Sequence, residues 1–210
     1  MGRSIDGELA AAHAAVLDRL APGTRSRRVR WSRGATRVLE LGAGPPLVLV
    51  HGGFDNAVLW APVLRALATR RLVLAVDLPG HGLADPFDYV GEDLATLATT
   101  FVHDVLDGLE LQAVDLAGCS VGGFVATAFA LDAPQRVSRL VLVGEPAGVA
   151  RHVPTPLRAL ALAVGLPLVG RTLGRLAMSR PSRERTRKLM GKIAVAHPER
   201  LDDGMLDADV

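Results

Sequence analysis

Residues 118–123 read Gly118-Cys119-Ser120-Val121-Gly122-Gly123, and no other stretch limits the possible folds of this chain as tightly. The apolar run Ala113-Val114-Asp115-Leu116-Ala117 leads into it, and the helix-like segment Phe124–Ala130 leads out. A serine at the tip of a sharp strand-to-helix turn needs small residues two places before and two places after it, so that the flanking backbones can pass. Gly118 and Gly122 meet that need. The start of a helix also leaves backbone N–H groups, Val121's among them, free to face charge that develops beside the serine. The pattern is that of a nucleophile elbow.

Two further motifs stand at the ends of apolar runs. Leu47-Val48-Leu49-Val50 reads as a buried parallel strand and runs into His51-Gly52-Gly53-Phe54. Leu72-Val73-Leu74-Ala75-Val76 reads likewise and ends in Asp77-Leu78-Pro79-Gly80-His81-Gly82. With the three motifs in this order the chain resembles the α/β-hydrolase family, over about residues 27 to 153. Strands and helices alternate through that stretch. Helices are expected near Val58–Arg70, Glu92–Leu109 and Gly123–Leu131, and further strands at Ala113–Ala117 and Leu140–Val143. The fold class expected is therefore α/β: a mainly parallel sheet with helices on both faces. An antiparallel hairpin, Arg27–Trp31 with Thr36–Leu41, is expected ahead of it. Ligands of such a sheet bind outside the carboxyl ends of the strands, where all three motif loops fall.

Three segments are expected: a leading amphipathic helix in residues 1–26, an α/β-hydrolase core in 27–153 and a helical cap in 154–210. Ile5, Leu9, Val16, Leu17 and Leu20 recur at helical spacing in the first. In the third, residues 151–192 carry ten basic residues against one acid, Glu184. At 49% hydrophobic residues a chain of 210 residues can bury a sizeable core. A formal charge of +2 makes no case for nucleic acid. Cys119 is the single cysteine, which suits a reducing, cytoplasmic setting. Acidic and basic residues interrupt residues 1–20, so no signal peptide is expected. The apolar stretch Ala159–Gly170 is too short to span a membrane, so no stable insertion is expected.

The resemblance implies roles residue by residue. Ser120 would be the nucleophile, and the oxyanion hole would take one N–H from Val121 and another from Gly53 or Phe54. Glu145, just past Leu140–Val143, matches a loop from which some members draw the triad acid. An apolar small-molecule acyl substrate is implied, with neither cofactor nor metal. The family places two more strands, an acid and a catalytic histidine after the cap. No residue here matches that histidine, so a fold without its C-terminal strands is expected. His51, His81 and Asp77 read as loop-structuring residues, with Asp77 capping its turn through backbone N–H groups. His103 reads as part of a solvated helix face, and Cys119 as a small packing residue. The reading is an esterase-like serine hydrolase; the alternatives are a truncated, non-catalytic binding module and an acyltransferase on the same scaffold.

Overall fold

The computed structural model describes residues 5–53 and 55–144. The expected cap, residues 154–210, lies outside the described residues, as does Glu145. The elements run α1 (Ile5–Leu20), β1 (Arg25–Trp31), β2 (Gly34–Gly42), β3 (Pro46–Val50), a 3₁₀ turn (Ala57–Trp60), α2 (Ala61–Leu67), β4 (Leu72–Val76), α3 (Leu94–Gly108), β5 (Val114–Cys119), α4 (Val121–Asp132), a 3₁₀ turn (Pro134–Arg136) and β6 (Val137–Val143).

The six strands form one sheet in the order β1-β2-β4-β3-β5-β6. β4, β3, β5 and β6 are parallel, while β1 and β2 pair antiparallel with each other and β2 antiparallel with β4. The sheet is thus the mixed, mainly parallel one expected, with its N-terminal hairpin. Trp31 pairs with Gly34, which leaves Ser32 and Arg33 as a two-residue loop.

Side chains alternate across the strands. Val48 and Val50 of β3, Leu74 and Val76 of β4, and Val114 and Leu116 of β5 share one core with α3 and α4. Leu49, Val73 and Ala75 are equally buried but point the other way, toward the side where α1 packs on α2. α3 forms because Asp93 caps it, its carboxylate accepting the Thr96 N–H at 3.2 Å, and because Leu97, Ala98, Phe101, Val102, Val105 and Leu106 make one continuous apolar stripe.

Most boundaries differ from expectation by a few residues, and one element differs in kind. The segment after β3 is not one helix. The side chain of Asn56 accepts the Val58 N–H at 2.9 Å and starts a 3₁₀ turn, and α2 begins anew with Pro62 in its first turn. Proline has no N–H to continue the earlier ladder, so it suits a helix start and not a helix interior.

Candidate active site

β5 lies between β3 and β6, so its carboxyl end opens at the centre of the parallel part of the sheet. Ser120 follows directly, with φ 50° and ψ −114°, and α4 starts at the next residue. Glu110 and Ser120 are the two non-glycine residues at positive φ among the described residues. Such a conformation costs a residue with a Cβ on the order of 1–3 kcal/mol. Backbone bonds hold it: the Ser120 N–H donates to Val143 O at 3.0 Å, and Ser120 O accepts from Gly123 at 2.9 Å and Phe124 at 3.2 Å. The N–H groups of Val121 and Gly122 precede the first intrahelical bond and have no acceptor within the helix.

The glycines act by close approach. A Cβ on Gly118 would lie 2.2 Å from Gly122 O, and one on Gly122 would lie 2.3 Å from Val50 O and 2.4 Å from His51 O. The elbow is therefore pressed both against itself and against the end of β3. The loop after β3 meets it from the other side. Cβ atoms added to Gly52 and Gly53 would stand 3.5 Å from Ser120 Cβ and 3.1 Å from Val121 Cγ2. Ser120, Val121 and Gly53 are thus brought together. Phe54 lies outside the described residues, and so does Glu145.

His51 is fully buried. Its Nδ1–H donates to Gly52 O at 2.6 Å, which leaves Nε2 to accept the Leu78 N–H at 2.9 Å. The ring therefore ties the loop after β3 to the loop after β4. Burial pushes its pKa down to about 4, against an opposing pull from the Gly52 carbonyl and the Asp77 charge. His81 stands 5.4 Å from it, ring to ring, with Nδ1–H donating to Pro79 O at 2.8 Å.

Asp77 caps its turn, accepting the Leu83 N–H at 3.0 Å, and does considerably more than the sequence suggested. It also accepts the Ala57 N–H at 2.7 Å and the Arg37 guanidinium at 2.7 and 3.2 Å, with both side chains buried. Arg37 reaches on to His13 Nδ1 at 2.8 Å. Burial, then the Arg37 charge, push His13 down to about 4. Its Nε2 is buried without a partner among the described residues. The sequence held no sign of this network: Arg37 sits in a polar-alternating hairpin, and His13 in a leading helix.

Other expected residues take quieter places. His103 is not merely solvated, since it bonds Asp132 at 2.9 Å and Arg136 at 3.1 Å and packs edge-on to Phe129. The Cys119 thiol is pushed up by burial first and by the Asp55 charge second, which keeps it protonated. Each of the described histidines is thus engaged elsewhere: His13 with Arg37, His51 and His81 with backbone, His103 with Asp132 and Arg136. Among the described residues no group of three His, Cys, Asp or Glu side chains is placed to hold a metal ion, and no helix is long and apolar enough to cross a membrane.

A family model described as the alpha/beta hydrolase fold matches residues 45–178. The chain is 36% identical over 179 residues to an uncharacterized protein of Mycobacterium tuberculosis, covering 84% of this chain and 50% of that protein. It is 41% identical over 115 residues to the pimeloyl-[acyl-carrier protein] methyl ester esterase of Vibrio parahaemolyticus, covering 55% of this chain and 42% of that enzyme. Of solved structures, the carboxylesterase CesB (YbfK) of Bacillus subtilis is similar with a TM-score of 0.61 and 27% identity, covering 67% of this chain and 50% of that one. The chain spans about half the length of the curated relatives it matches.

Proposed function

The chain belongs to the α/β-hydrolase fold family, and from that premise we propose that it is a hydrolase cleaving an ester-like bond (carboxylic ester, thioester or lactone) through an acyl intermediate on Ser120. In this reading Ser120 Oγ attacks the carbonyl carbon. The oxygen that becomes negative is met by the N–H of Val121 and one from Gly53 or Phe54. The leaving group departs with a proton, and water then releases the acid. Each oxyanion donor is worth roughly 100- to 1000-fold in rate.

One observation supports the reading most. Ser120 is held at φ 50° where a strand becomes a helix, with Gly52 packed against it and Gly53 against the neighbouring Val121. A backbone cost of that kind belongs to sites where geometry serves chemistry. The serine needs a base, since its hydroxyl is a weak nucleophile until the proton is taken. His152 and His197 are the remaining histidines of the chain, and they lie outside the described residues together with the candidate acid Glu145. The test is labelling by an ethyl fluorophosphonate, with Ser120→Ala, His152→Ala and His197→Ala beside the unaltered chain. Labelling that Ser120→Ala abolishes supports the acyl-serine reading, and a histidine variant that also abolishes it names the base. Absence of labelling in the unaltered chain would overturn the reading in favour of a non-catalytic binding module.

A further inference from the structure

An apolar cavity of about 280 Å³ opens beside the elbow. Leu78 and His81 from the loop after β4, Ala98 and Phe101 from α3, and Val121 and Phe124 from α4 form much of its wall. Among the described residues, no Asp, Glu, Lys or Arg side chain lines it. Two of the polar groups that reach it are already satisfied by one carbonyl: Tyr89 OH donates to Pro79 O at 2.6 Å and His81 Nδ1–H to the same oxygen at 2.8 Å. Apart from the second ring nitrogen of His81, what the described wall offers a guest is carbon. At its rim Leu94 and Val121 remain 52% and 43% exposed, large apolar side chains that a guest would cover.

Val121 joins this cavity to the candidate site. Its N–H is a candidate oxyanion donor, its side chain is a wall of the cavity, and Gly53, on the other donor loop, abuts that same side chain. A carbonyl held between those two loops carries its substituent to the Val121 wall. We propose that the cavity takes the acyl chain of the substrate, and that this chain is an uncharged alkyl or ring group of medium length. The proposal rests on the acyl-serine reading for its chemistry, and on the cavity alone for the class of group bound. A chain ending in a carboxylate would bring an unpaired charge against the carbon atoms of this described wall, which disfavours it.

Two measurements separate the cavity from the chemistry. Phenyl hexyl ketone, an uncharged ester stand-in that cannot be hydrolysed, is titrated calorimetrically into the Ser120→Ala chain. It is expected to bind. Ala98→Phe, which fills the cavity, should weaken binding at least 10-fold, as one misfit methylene already costs roughly 10- to 200-fold. Leu94→Asp, at an exposed position in the first turn of α3 where an acid is well tolerated, should weaken it in a chain that folds normally. No binding to Ser120→Ala, or binding indifferent to both substitutions, overturns the proposal; a cavity filled by the chain's own residues gives the first of these. In the second measurement, labelling rates are compared for ethyl, butyl, hexyl and octyl fluorophosphonates. They should rise about 4-fold per methylene until the cavity is full. Equal rates at every length would leave the acyl-serine reading standing and overturn the cavity's role. No labelling, with ketone binding that Ala98→Phe blocks, would overturn the acyl-serine reading and support the assigned ligand class.

Discussion

The backbone at Ser120 can be probed without any substrate. Its φ of 50° and ψ of −114° lie outside the regions open to a residue with a Cβ. The cost is on the order of 1–3 kcal/mol. Ser120→Ala keeps the Cβ and therefore the strain, whereas Ser120→Gly removes both. Against that gain, a glycine frees the unfolded chain and forfeits roughly 0.5–1 kcal/mol relative to alanine. The balance leaves Ser120→Gly more stable than Ser120→Ala by about 1 kcal/mol. The backbone bonds to Val143, Gly123 and Phe124 are the same in both variants, so they cancel. For a domain of this size the difference corresponds to about 2–4 °C in Tm. Urea denaturation of the two variants, with equal m-values, reads it directly. The usual rule at an unstrained position is that glycine is the less stable of the two. If Ser120→Ala proves as stable as Ser120→Gly or more so, the elbow is not strained and the reasoning fails.

Three other expectations follow from the same geometry. Gly122→Ala would put a Cβ 2.3 Å from the Val50 carbonyl and should cost roughly 3 kcal/mol or more, since backbone cannot swing aside. Gly91→Ala has nothing within 4 Å and pays only for φ +80°, about 1–2 kcal/mol, so thermal melts that rank the two in reverse would refute the close-approach argument. Asp77→Ala strands the buried Arg37 guanidinium and two backbone N–H groups and should lose about 3–5 kcal/mol in urea melts; a loss below about 1 kcal/mol would refute the clamp. His13 and His51 are each held near a pKa of 4, below the ordinary 6.5, so the unfolded chain binds more protons between those values. Stability should be full above about pH 6.5 and fall by roughly 1.4 kcal/mol per pH unit per histidine down to about pH 4. His13→Gln, which can still accept from Arg37 but does not titrate, should halve that slope; an unchanged slope would show that His13 does not titrate as argued.

The strands, the elbow and the loops were legible because each is written in neighbouring residues. Val48, Val50, Val73 and Val76 mark strands by their branching, and Gly118 and Gly122 stand where two backbones must pass. The limits of α2 were misjudged because Asn56 and Pro62 divide a continuous apolar pattern into two pieces. Of the braces around the site, the capping role of Asp77 and the loop-structuring role of His51 are legible in the sequence, but their distant partners are not. Arg37 meets Asp77 across 40 residues and His13 across 24, and a local pattern carries no record of such pairings. Arg37 in particular occupies a strand position where an exposed polar residue is the ordinary expectation, yet its side chain is 3% exposed. The candidate acid Glu145 rests on resemblance alone and no histidine matches the family's base; Glu145, His152 and His197 lie outside the described residues.

The same braces bear on which groups can move protons. Asp77 binds Ala57 in the loop after β3, Leu83 in the loop after β4 and Arg37 in β2, while His51 bonds Leu78 across the first two loops. The loop that carries Gly53 is thus tied by Asp77 and His51 to β2 and to the loop after β4. A general base needs a free ring nitrogen and a pKa near the working pH. His51 has neither: both nitrogens are spent, and burial holds it near 4. Its neighbour His81 gives its Nδ1 proton to Pro79. Loss of activity on acidification between pH 6.5 and 4 would therefore have two separable sources. A catalytic base would titrate reversibly with the fold intact, whereas His13 and His51 act through stability. Far-ultraviolet circular dichroism recorded alongside labelling rates tells them apart, because only the second source brings unfolding with it, and His13→Gln should shift that unfolding to lower pH while leaving a catalytic titration where it was.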